Sequence, residues 1–96
     1  MPTSAEARRR ARTERARAEF GPRAQAALDA LALLDFAWHD CYAEPAPPEQ
    51  VVEDVWTVAS GNLAELIQAV HLAVIDFRDL RLWADRRRPG VPDRPD

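Results

Sequence analysis

Ninety-six residues, a formal net charge of -3, a sequence pI near 5.3 and 47% hydrophobic residues describe one small domain, since domains usually run to about 100–200 residues. A chain this short buries only about 60–68% of its unfolded surface, so a deep, two-walled active site would have to be assembled with a partner. Net acidity counts at first against nucleic acid, and no apolar run approaches the roughly 18 residues that span a bilayer.

The charge is unevenly placed. All thirteen basic residues are arginine; residues 1–23 carry seven of them against three acids, residues 24–85 two against eleven, and residues 86–96 four against two. The chain therefore reads as an acidic bundle with basic ends. That split withdraws the argument against nucleic acid, and it equally allows the N-terminal arginines to fold back onto the acidic helices of their own chain. Cys41 stands alone, so no intrachain disulfide or paired-thiolate zinc site is available, and with no apolar signal-peptide stretch the expected compartment is the cytoplasm.

Glycine and proline divide the chain into four segments rich in alanine and leucine, none alternating as a strand would. Residues 4–20 form an arginine-rich N-terminal helix, opened by Thr3 and Glu6 at capping-box spacing and closed by Gly21. Its apolar stripe is only Ala7, Ala11 and Ala18 with Phe20, so it is expected to be exposed or fraying. Residues 22–42 form a second helix, with Pro22 in its first turn and Ala24, Ala27, Leu31, Leu34, Trp38 and Cys41 or Tyr42 on the core side. Residues 48–59 form a short third helix with Val51, Val52, Val55, Val58 and Ala59 inward, Glu53, Asp54 and Thr57 outward, and Trp56 at the margin. Residues 63–88 form the longest helix, capped by Asn62 with Glu65 three residues on, and carry Leu63, Leu66, Ile67, Val70, Ala73, Val74, Phe77 and Leu80 on one stripe.

At about 1.5 Å per residue the last three helices measure roughly 30, 18 and 39 Å. Short connections make consecutive helices antiparallel, so the longest should overtake the third after roughly twelve residues and leave Phe77, Leu80, Leu82 and Trp83 uncovered. Its reverse side also carries Leu72, Ile75, Leu82 and Trp83. With Leu33 and Phe36 off the core stripe of the second helix, and Trp56, these residues make up the candidate interface, for which a homodimer is the expected solution.

Chemical motifs are thin. Asp35 and His39 are four apart on one helix and could orient an imidazole or, with Asp40, Cys41 and His71, hold a metal. His39 and Cys41 point about 200° apart, however, and no second histidine–carboxylate motif exists. Ser4 and Ser60 have no base near them in sequence, and there is no glycine-rich phosphate loop. Arg8, Arg9, Arg10, Arg12, Arg15 and Arg17 could track a phosphate backbone, with Arg8, Arg12 and Arg15 on one face, but no aromatic is interleaved for base stacking.

These readings give an all-α chain with an N-terminal arm over residues 1–21, a helical domain over 22–88 and a disordered tail over 89–96. The expected function is that of a non-enzymatic, cofactor-free adaptor or regulatory protein acting by self-association and protein docking. The alternative is a nucleic-acid-binding regulator using the N-terminal arginines.

Overall fold

The computed structural model describes residues 4–87, so the Thr3 cap and the tail over residues 89–96 lie outside the described residues. The elements are α1 (Ser4–Phe20), a 3-10 turn (Gly21–Arg23), α2 (Ala24–Tyr42), α3 (Glu49–Ala59) and α4 (Leu63–Arg87). No strand occurs among the described residues.

The turns follow from local chemistry. Gly21 has φ +55, a left-handed value that glycine adopts without a Cβ penalty, and it reverses the chain between α1 and α2. Arg12 reaches Asp35, 23 residues on, at 2.9 Å; along one straight helix that separation would be about 34 Å. α2 ends at Ala43, whose left-handed conformation (φ 58) lets its N–H donate to the His39 carbonyl at 2.8 Å. The indole N–H of Trp38 then ties the connection down by donating to Glu44 at 2.8 Å. α3 starts at Pro48, whose carbonyl accepts from the Val51 N–H at 3.0 Å.

Between α3 and α4, Ser60 and Gly61 both take left-handed values, and a Cβ on Gly61 would lie 3.0 Å from the Glu19 carbonyl oxygen. Glycine here is therefore required by a close approach to α1 as well as by its φ. Asn62 caps α4 through its side-chain oxygen, which accepts the Glu65 N–H at 3.0 Å, satisfying one of the orphan donors of the first turn.

The longest helix is not straight. Asp76 has φ -158 and ψ 93, breaking α4 into two arms, residues 63–75 and 77–87. The Arg87 guanidinium donates to the Val58 carbonyl at 2.8 Å and pairs with Glu65. A straight helix would set Glu65 and Arg87 about 33 Å apart, so the second arm folds back alongside the first. This overturns the expectation that α4 overtakes α3 and leaves its last turns uncovered: Leu80 and Ala84 are fully buried.

The core collects Leu31, Leu34 and Trp38 from α2, Val55, Val58 and Ala59 from α3, Leu66, Ala69 and Ala73 from the first arm and Leu80 and Ala84 from the second. Ala16 and Phe20 bring α1 into the same cluster, so α1 is packed rather than fraying. Each fully buried large aliphatic side chain contributes about 1.5–3 kcal/mol, and the many core alanines let the helix axes approach closely.

On α2 and α3, four residues depart from the amphipathic reading. Trp56 is fully inside, its ring centroid 6.1 Å from that of Phe20. Asp54, expected outside, is 2% exposed and accepts a hydrogen bond from Gln50 at 2.9 Å. Both follow from α3 being covered over an arc wider than its valine stripe. Cys41 is exposed and Tyr42 partly so, the Tyr42 ring lying tilted against Trp38 with centroids 4.4 Å apart and edge-on to Phe77 of α4 at 6.5 Å.

Candidate docking surface

α2 buries Leu31, Leu34 and Trp38, and a 100° step per residue then turns Leu33 and Phe36 away from the core together. They are 66% and 72% exposed. Asp29 and Asp40, both exposed, flank this face at its two ends. On the first arm of α4, Ile67, His71 and Ile75 follow one another at four-residue spacing and form a single exposed stripe, with Ile67 at 53% and Ile75 at 64%. On the second arm, Leu82 faces away from Leu80 and Ala84 and is 57% exposed.

The sequence-derived interface residues therefore divide. Leu33, Phe36, Ile75 and Leu82 are at the surface, whereas Leu72 and Trp83 are half-buried and pack against the core. Glu65, Ala69, Leu72 and Asp76, spaced by four, three and four residues, share the face of the first arm from which Glu65 meets Arg87. The Arg87 guanidinium sits 5.6 Å from the Trp83 ring centroid. The return of the chain at Asp76 has thus drawn Leu72 and Trp83 of the expected second stripe to the seam between the two arms, while Ile75 and Leu82 stay outside it. Trp56 is taken up beneath α1 and offers no free surface.

Two exposed residues of α4 belong to the stripe read from sequence as facing the core. Ile67 lies at the edge of the core stripe, about 100° from Leu66 on the helical wheel, which is the signal that could have placed it. Phe77 sits just past the break, 39% exposed, with its ring 5.8 Å from that of Trp38.

The arginine face of α1 is partly committed to the chain itself. Arg12 offers both terminal nitrogens to the two oxygens of Asp35, at 2.9 and 3.4 Å. Arg15 pairs with Glu19 at 2.8 Å and with Glu53 at 2.9 Å, and its guanidinium lies 4.8 Å from the Trp56 ring centroid. Burial pulls the Arg15 pKa down, but hydrogen bonds and charge from Glu53 and Glu19 outweigh it and raise the value above the ordinary arginine range. Arg8, Arg9, Arg10 and Arg17 are exposed. A groove of about 480 Å³ runs between α1 and the α2–α3 connection, with Arg8, Arg12 and Arg15 on one wall and Pro45, Pro48 and Val52 on the other.

The residues considered for catalysis or metal binding do not converge. Asp35 turns to Arg12 rather than orienting His39, while His39, Asp40, Cys41 and His71 are all exposed. Among the described residues no three of the histidine, cysteine, aspartate and glutamate side chains come together as metal ligands. No helix among them is long and apolar enough to cross a membrane. The chain matches no protein-family model, no curated protein and no solved structure at a significant level.

Proposed function

We propose that this chain is a small, cytoplasmic, non-enzymatic adaptor or regulatory protein that works by association, with a second copy of itself as the first partner and another protein chain as the second. The observation that carries the reading is the pairing of Leu33 with Phe36 on the outer face of α2, each about two-thirds or more exposed. Aromatic and aliphatic groups of this kind supply most of the binding energy once a partner desolvates them. The stripe of Ile67, His71 and Ile75 adds apolar area on a neighbouring element. Self-association is favoured because closed two-fold pairing is the commonest arrangement of soluble oligomers.

A nucleic-acid reading rests on Arg8, Arg9, Arg10 and Arg17, which α1 presents to solvent. It is the weaker of the two, because Arg12 and Arg15 already hold carboxylates that a phosphate would have to displace. Binding of that kind falls steeply with salt as counterions are released; a gel-shift series over salt concentration separates it from protein docking.

The test of the main reading is sedimentation of the full chain and of Leu33→Ser/Phe36→Ser from low to high micromolar concentration. A dimer that forms with concentration and is lost in the double variant is expected, with urea stability changed little because both side chains are exposed. A monomer at high micromolar, or a dimer indifferent to the double substitution, overturns docking through this face.

A further inference from the structure

Residues 63–87 contain no glycine and no proline, and every residue but Asp76 keeps to one helical run. The break is a single position. Asp76 accepts the Arg78 N–H on its side chain at 3.0 Å, acting as the N-cap of the second arm. That arm is then held by Leu80 and Ala84 in the core, by Trp83 at its edge, and by Arg87 on Val58 and Glu65.

None of these holding contacts depends on the second arm belonging to the same chain. The seat, formed by the end of α3 and the Glu65–Leu72 side of the first arm, is presented identically by every copy. If Asp76 enters the helical region, α4 becomes one rod, regaining the backbone hydrogen bonds that the break forfeits, and its second arm is carried away from its own seat. Two straightened copies can fill each other's seats with the same buried side chains, so that only the conformation at residue 76 and the loss of free translation distinguish the two forms.

We propose that residues 77–87 exchange between two copies of this chain, with Asp76 as the hinge and the second-arm seat as the interaction surface. The partner is a second copy, identified by the contacts the arm already makes. This pairing is separate from docking through Leu33 and Phe36, and neither requires the other.

The experiment uses the full chain with Cys41→Ser and the pair Glu65→Cys and Arg87→Cys, bridged with a short flexible bis-maleimide that spans the reach of the ion pair and run on a denaturing gel. Cross-linking at low micromolar concentration is expected to give an intrachain-linked monomer. After incubation at high micromolar concentration a covalent dimer should appear, several-fold above the background set by Arg87→Cys alone, and several-fold more again with Asp76→Ala, which removes the cap and favours a continuous helix. In the Asp76→Ala chain, where exchange dominates, the dimer should survive in the Leu33→Ser/Phe36→Ser background; its loss there would assign it to face docking and overturn exchange. As a measurement free of the cysteine pair, light scattering of Asp76→Ala in the Leu33→Ser/Phe36→Ser background should report a dimer mass. A monomer in that measurement, or only intrachain links at every concentration, also overturns the proposal.

Discussion

Leu80→Ala tests the return of α4 most sharply by energetics. Leu80 is fully buried and is the one large side chain of the second arm with no exposure, its companion in the core being Ala84. Truncation removes three carbons at about 0.8 kcal/mol each, roughly 2.4 kcal/mol in transfer terms. The cavity left behind brings the total to about 2.7–5 kcal/mol. Against a total stability of about 5–15 kcal/mol for a small domain, this is a large fraction, and it should detach the second arm first. Urea unfolding followed by tryptophan fluorescence at low micromolar concentration measures it, with Trp83 close to the site of damage. Were α4 one straight helix within a monomer, Leu80 would stand in solvent and its loss would cost less than about 0.5 kcal/mol. A value that small would refute the folded-back arm.

Phe20→Ala should cost about 3–5 kcal/mol, because the ring is buried against Trp56 and joins α1 to the core; an unchanged urea midpoint would return α1 to the status of a loose arm. Arg15→Ala should cost about 1–2 kcal/mol, from two partly exposed ion pairs and the Trp56 contact, and the loss should shrink in high salt. The folded-state pKa of Arg15 lies above its unfolded value, so its contribution is fully present below the unfolded pKa and is lost only as pH rises through the folded one. The Arg15→Ala difference should therefore be flat from about pH 6 to about pH 10, which paired urea titrations at the two pH values check.

Much of the element order is legible in the residues because the punctuation is chemical. Gly21, Pro48 and Asn62 each impose a local conformation that no packing need supply, and the helix ends fall within a residue or two of them. The break at Asp76 is hidden for the opposite reason. Val74, Ile75, Phe77 and Leu80 continue an apolar period through it, and no glycine or proline marks the place. The available sign is Asp76 followed three residues later by Asp79, an N-cap pattern inside an apparently continuous helix. What decides the matter is tertiary: folding back buries Leu80, Trp83 and Ala84, and that gain exceeds the helical hydrogen bonds lost.

The packing of α1 is hidden for a related reason. It packs through Ala16 and Phe20, leaving the stripe alanines Ala7, Ala11 and Ala18 exposed, and its docking rests on Arg12–Asp35 and Arg15–Glu53, partners 23 and 38 residues apart. Pairing at such separation is invisible to periodicity. For the candidate surface, Leu33 and Phe36 were readable because they are out of phase with Leu31, Leu34 and Trp38. Leu72 is equally out of phase with its stripe but faces the returning arm rather than a partner, and Trp83 lies on that arm and packs against the core.

If the exposed apolar side chains of α2 and α4 are a docking surface, association should mark them directly. Backbone amide and methyl NMR spectra of the full chain, recorded over a dilution series from high to low micromolar, address this residue by residue. Concentration-dependent shifts centred on Leu33 and Phe36, extending to Ile67, His71 and Ile75, are the predicted result. Spectra that do not change with concentration, or changes confined to α1 and its arginines, would contradict it.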